Sequence, residues 1–577
     1  HLYPIHKHPD PEQLPVYRTN ICFVVCLIPA CTTHASPRSV LCDVRARTDA
    51  GAVCGLTRLA DDGATYASFR GVPYAKQPVG ELRFKELEPA EPWDVLDARN
   101  EGPICFQTDV LYDRLMKPQP MSESCIHANI HVPIKPVPAA SRKLTKELDT
   151  LHLDEVNSSG LPILVFIHGG GFAFGSGDTD IHGPEYLVSK KVIVITFNYR
   201  LNVFGFLSLN TTQIPGNAGL RDQVTLLRWV QRNAKAFGGD PDDVTLAGQS
   251  AGAIAAHLLT LSKAAEGLFK RAILMSGTAT SSFYSPSPLF AKYLSHQLLT
   301  SLDITSTNPD DVHRQLIDLP PEKLQEANKK LLELTGLTTF VPTVEFPLPG
   351  VTPIIEDFPE NLIAKGRGKN IPILTGYTSS ECETFRRRLE QFDVVNKIKI
   401  NNLLIVPPKL IFSNPPTLLM DLAKQIEREY YNGTINMDSF IRSCSDGYYE
   451  YPALKLAEER AASGGASLYL YRFAYEGQSS IIRETIGQDY KGVGHIEDMT
   501  YVFKVNSLVG TPPSVTDVCM KNLMTDFFVN FMTSEPLTGS QYEDIESPTM
   551  YQPKQFSSRQ LEILQFFDSL NKYDIVK

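Results

Sequence analysis

A serine stands at position 250, inside Gly248-Gln249-Ser250-Ala251-Gly252. A serine hydroxyl attacks an acyl carbon only when a base takes its proton and an acid holds that base in the correct tautomer. Histidine suits the base, because its pKa lies near neutrality. His257, His296, His313 and His495 follow the serine, and of these only His495 falls in the last third of the chain. It closes Gly492-Val493-Gly494-His495, which reads as a flexible loop able to swing the ring onto a sheet edge. The acid is expected at a strand end between serine and histidine. Ile371-Pro372-Ile373-Leu374 is such a strand, and Glu381 follows it, with Glu383 as the neighbouring competitor. Backbone N–H groups must also meet the oxygen that becomes negative. His168-Gly169-Gly170-Gly171 follows another apolar strand, so Gly170, Gly171 and Ala251 are the expected donors. A glycine run can also cradle phosphate, but the chain has no G-x-x-x-x-G-K-[ST].

The elements that must hold these groups alternate. Val244-Thr245-Leu246 leads into the pentapeptide and an Ala-rich helical pattern, Ala253–Leu261, leaves it: strand, sharp turn, helix, with serine at the apex. Near-continuous apolar runs at Leu161–Ile167, Val192–Phe197, Arg271–Met275, Ile371–Leu374 and Ser467–Phe473 read as strands buried on both faces. Helical patterns cover Asp222–Ala236, Pro321–Leu334, Val515–Phe531 and Ser558–Leu570. The expected class is therefore α/β, a mostly parallel central sheet flanked by helices. Residues 279–365 interrupt the alternation and read as a helical cap over the site. Residues 40–72 read as short strands with turns, and the charged, Pro-bearing stretch 134–160 as an exposed loop.

At 577 residues, 42% hydrophobic and 21% charged, the chain has the makings of a large core. Its net charge of −10, with no basic block, excludes nucleic acid as an expected partner. Arg18 precedes an apolar run, Ile21–Ala30, with Thr33 and Ala35 placed for cleavage before Ser36. This reads as a secretory signal behind an N-terminal extension (1–35), too short to span a membrane, followed by one domain, 36–577. His1, His6 and His8 read as a polar tail, not a metal site. Three sequons, at Asn157, Asn210 and Asn432, suit an exported glycoprotein. Ten cysteines include Cys22, Cys26 and Cys31 in the signal, so at least one of the remainder stays unpaired.

Several further motifs occur in one order: Phe69–Ala75 (F-R-G-V-P-Y-A), Leu82–Phe84, Ser122–Cys125, Phe197–Leu201, Gly216–Gln223, Phe237–Pro241 and G-V-G-H-I-E-D from Gly492. Over roughly residues 40–575 the chain resembles the type-B carboxylesterase and cholinesterase family. The resemblance implies an α/β-hydrolase fold and a Ser–Glu–His triad on Ser250, Glu381 and His495. It further implies a Cys105–Cys125 disulfide, structural pairs Arg83–Glu123 and Arg200–Asp222, and a serine, Ser276, near the catalytic histidine. G-Q-S-A-G and G-x-x-H-x-x-D (Gly492–Asp498) also resemble insect juvenile hormone esterases and other insect carboxylesterases. The family's choline-holding tryptophan is missing from Leu111–Met121, and Gln249 replaces a common glutamate, so the pocket suits a neutral, lipophilic ester. Cys382 stands where relatives usually have glycine, so a slightly different acid loop is expected. The expected activity is hydrolysis of such a small-molecule ester through an acyl-enzyme, with no metal or cofactor. A general detoxifying or odorant-degrading esterase is the alternative, and a non-catalytic adhesion relative a weaker one. Oligomeric state is left open.

Overall fold

The apolar runs of the sequence become the middle of a sheet of thirteen strands among the described residues of the computed structural model. The structure describes residues 42–571 except 112–118, 136–149, 154–159, 337, 479, 487–489, 509–511, 535–540 and 549–554. The expected signal, the Asn157 sequon and most of the 134–160 stretch therefore lie outside the described residues. In chain order the strands are β1 Val44–Arg47, β2 Ala52–Leu59, β3 Thr65–Pro73, β4 Val95–Asp97, β5 His127–Pro133, β6 Leu151–His152, β7 Leu161–Ile167, β8 Ile193–Phe197, β9 Gly239–Gln249, β10 Arg271–Met275, β11 Ile373–Thr378, β12 Leu468–Phe473 and β13 Gln541–Ile545. From one edge the order is β13-β12-β11-β10-β9-β7-β8-β5-β3-β2-β1-β6, and β4 pairs with β2.

The seven strands from β13 to β8 run parallel, and β5, β3, β2 and β1 continue the sheet antiparallel. Alternating side chains of each central strand enter different apolar layers. Ile163, Val165 and Ile167 of β7 join one core, Leu164 and Phe166 the other. Burial on both faces is why these strands read as unbroken apolar runs. The first layer is closed by helices Ala218–Asn233 and Ala251–Leu261. The second is closed in part by helix Val515–Thr533, through Met520, Met524 and Phe528. One expectation is corrected: Leu151–His152, read as loop, pairs in parallel with β1.

The cap region holds helices Pro288–Ser301, Pro309–Asp318, Pro321–Thr335 and Pro359–Ala364, each with proline in its first turn, where its missing N–H costs nothing. Buried charges tie this region to the scaffold. The Arg83 guanidinium donates to Glu123 (2.6 and 2.9 Å) and to the Leu316 and Leu319 carbonyls, which ends one cap helix with its acceptors satisfied. Arg221 pairs with Glu345, which also accepts from Asn217 Nδ2. Arg200 and Asp222 pair at 2.5 Å under nearly complete burial.

Among the described residues three disulfides form: Cys42–Cys54, Cys105–Cys125 and Cys382–Cys444. In the chain-entropy picture, closing the 20-residue separation of Cys105–Cys125 contributes about 3 kcal/mol. Cys519 is free and exposed.

Candidate active site

β9 ends at Gln249, and helix Ala251–Leu261 begins one residue after Ser250. Between them Ser250 takes φ 58°, ψ −122°, a region L-residues avoid. The turn closes this tightly because Gly252 lacks a side chain; a Cβ there would lie 2.0 Å from the Ile167 carbonyl oxygen. The Ser250 N–H donates to the Met275 carbonyl (2.8 Å), fixing the turn to β10.

The acid comes from the end of β11. Glu381 is fully buried. Its Oε1 accepts from the Thr378 N–H at 2.8 Å, and its Oε2 lies 2.5 Å from His495 Nδ1. That contact puts the ring proton on Nδ1 and leaves Nε2 as the basic nitrogen. Glu383, the competitor, pairs with Arg386 instead (2.7 and 3.0 Å). Cys382, beside the acid, is bonded to Cys444, and its N–H donates to Ser445 Oγ.

His495 does not hang from a loose loop. Its N–H donates to the Glu381 carbonyl (3.1 Å) and its own carbonyl accepts from Thr384 Oγ1 (2.9 Å). One residue before it, the Gly494 N–H donates to Glu497 (2.7 Å), a carboxylate that also accepts from Ser480 and Tyr490. These bonds hold the following Ile496 at φ 74°, a costly conformation for a β-branched residue. The Tyr449 ring packs 4.8 Å from the imidazole.

Nε2 of His495 is not paired with the serine. The Gln249 amide donates to it at 3.0 Å. No hydrogen bond joins Ser250 to His495 among the described residues, although both line one pocket. The backbone N–H groups of Gly170, Gly171 and Ala251 make no hydrogen bond among the described residues. Gly170, at φ 104°, could not carry a side chain; a Cβ would meet the Phe174 carbonyl oxygen at 2.0 Å. Ala251 opens its helix, where N–H groups lack helical acceptors and carry partial positive charge. Behind this run His168 is neutral, its pKa pushed down to about 4 by burial. Ser276 is buried at φ 54°, and its Oγ has no partner among the described residues.

The pocket at Ser250 has a volume of about 40 Å³. Phe283, Thr338, Phe385 and Tyr449 line both it and a larger cavity of about 200 Å³, whose wall includes Leu389, Phe392, Val406, Ile411 and Phe440. These wall residues carry no signature that sequence reading could use. Among the described residues no group of three or more His, Cys, Asp or Glu is placed to hold a metal.

Asp498, last residue of the G-x-x-H-x-x-D pattern, is buried and accepts from Tyr471 OH at 2.7 Å. Burial, reinforced by the nearby Glu381 charge, pushes its carboxyl up to about 7. The folded state therefore binds a proton that the unfolded state releases near 3.8, and Asp498 costs stability increasingly as pH rises from about 4 to about 7. Asp498→Asn removes that dependence. Urea midpoints of the variant relative to wild type are expected to improve across this window and then level off; a pH-independent difference would contradict the assignment.

Comparison with known proteins shows the family. A sequence model of the Carboxylesterase family matches residues 43–568. Juvenile hormone esterase of Heliothis virescens is 65% identical over 561 residues, covering 94% of this chain and 97% of that protein. Juvenile hormone esterase of Tribolium castaneum is 30% identical over 525 residues, covering 85% and 84%. The crystal structure of juvenile hormone esterase from Manduca sexta, with OTFP covalently attached, superposes with a TM-score of 0.85 at 54% identity, covering 92% of this chain and all of that one. The chain thus belongs to the carboxylesterase family, and it is a carboxylic ester hydrolase of α/β-hydrolase fold.

Proposed function

We propose that Ser250, Glu381 and His495 form the catalytic triad, and that the substrate is a neutral, long-chain carboxylic ester of the juvenile hormone class. The observation that carries this is the His495–Glu381 contact behind a pocket lined by His495 and Ser250, which shares Phe283, Thr338, Phe385 and Tyr449 with a larger apolar cavity. Ser250 Oγ attacks the ester carbonyl as His495 Nε2 takes its proton. The carbonyl oxygen becomes an oxyanion facing the Gly170, Gly171 and Ala251 N–H groups. Collapse returns the proton to the departing alcohol oxygen and leaves an acyl-enzyme. Water, deprotonated by His495, then repeats the sequence and releases the carboxylic acid. Glu381 stabilises the imidazolium throughout.

The apolar cavity wall supports a lipophilic acyl chain, and the names of the relatives supply the hormone as candidate. Competition of juvenile hormone against an acetate ester and an aryl acetate tests this reading. The hormone's kcat/KM is expected to exceed theirs by at least about 100-fold, the scale several buried methylenes supply. Equal values would assign the chain to general ester clearance instead.

Export and glycosylation belong to the same proposal. The apolar run before Ser36 and three disulfides suit an oxidising compartment. Asn210 and Asn432 are exposed in left-handed turns, accessible to glycan addition; Asn157 rests on its sequon alone. No helix among the described residues is long and apolar enough to cross a membrane. A single catalytic domain, 36–577, completes the reading.

A further inference from the structure

The residue before the nucleophile touches the base directly. Gln249 is fully buried at the end of β9, and its amide Nε2 lies 3.0 Å from His495 Nε2. A neutral imidazole has one lone pair on that nitrogen. With Nδ1 committed to Glu381, the amide N–H fills the single acceptor position the serine must use. The other end of the amide is held by packing alone: Gln249 Oε1 has no hydrogen-bond partner among the described residues and abuts Gly169, where an added Cβ would stand 2.5 Å away.

We infer that Gln249 is a positioning residue that acts through His495. It rests on the triad reading given above. Its N–H caps Nε2, which holds the ring in the base-competent tautomer and orientation. When an ester carbonyl occupies the oxyanion donors, the Ser250 hydroxyl takes over that lone pair and the amide withdraws. Once His495 is protonated, the carboxamide can turn its unpartnered Oε1 toward the ring N–H. A carboxamide serves both protonation states of the base, as donor to imidazole and acceptor from imidazolium. A carboxylate serves only the second, and an apolar side chain neither.

Two variants separate these roles. Gln249→Glu presents an acceptor only, so it favours the imidazolium. The acid limb of kcat/KM for an aryl acetate is expected to move up by about one pH unit, a tenfold loss on the acidic side that recovers at higher pH. Glu381, Asp498 and Tyr449, the titratable groups that face His495, are the same in both proteins. Gln249→Met keeps the volume without a hydrogen bond. Its kcat is expected to fall about tenfold with KM within about twofold, because the substrate's own contacts are untouched. Stoichiometric fluorophosphonate labelling of each variant verifies an intact site. An acid limb coincident with wild type in Gln249→Glu, or wild-type kcat in Gln249→Met, would overturn the inference; should the glutamate variant not fold, the methionine variant decides. Failure of the triad reading itself shows differently, as residual turnover in Ser250→Ala or absence of labelling in the wild type.

Discussion

Ser250→Ala is expected to lower kcat/KM for an aryl acetate by about 10⁴-fold or more, the scale on which removal of a triad nucleophile acts. The turn that presents Ser250 Oγ is set by the Gly252 approach to the Ile167 carbonyl. Alanine adopts the same φ of 58° at no greater strain than serine, so the fold should survive and the loss should be chemical. His495→Ala should cost a similar factor, and the double variant no more than either alone, since the two groups act as one unit. Turnover of the serine variant within a factor of about ten of wild type would end the proposed mechanism. Multiplicative losses in the double variant would show that the two residues act separately.

Arg200→Ala is expected to destabilise the fold by about 3–5 kcal/mol, the cost of orphaning a buried charge. Asp222 is fully buried and accepts from the Arg200 backbone N–H (2.9 Å), Nε (2.8 Å) and Nη2 (2.5 Å). The same guanidinium donates to the carbonyls of Arg83 (3.0 Å) and Lys85 (2.8 Å). Alanine therefore strands one carboxylate and removes donors from the segment that carries Arg83. Because Arg83 in turn pairs with Glu123 and ends a cap helix, the damage should spread toward the cap. Urea unfolding measures the change. A loss below about 1 kcal/mol would mean that water reaches Asp222 in the variant and that the pair is less isolated than its burial indicates.

Sequence reading located the central strands well because parallel strands covered on both faces must be apolar throughout. Leu161–Ile167 and Arg271–Met275 agree to the residue. It failed where the chain is polar or short. Gln541–Ile545 carries glutamate and aspartate at a sheet edge, and Leu151–His152 pairs over two residues, so neither offers a periodic signal. β9 begins at Gly239, ahead of the apolar stretch, because Asp240 and Asp242 lie on its partly exposed end. Cysteine counting required an unpaired thiol but could not select Cys519, nor pair Cys382 with Cys444 across 62 residues.

What the sequence determined by itself is local: a strand, a strained serine and a helix within a few residues, and a glycine run whose N–H groups stay free. Such features are fixed by steric limits on neighbouring backbone atoms, which a short motif fully encodes. Glu381 and Glu383 both follow the strand, and the contact that distinguishes Glu381, made with His495 across 114 residues, exists only through packing. The partner of His495 Nε2 was a matter for tertiary structure entirely. Gln249 and Ser250 are adjacent in sequence, both line the pocket, and 246 residues separate Gln249 from the ring. Which of the two meets the imidazole depends on where folding sets that ring, and no spacing along the chain records it.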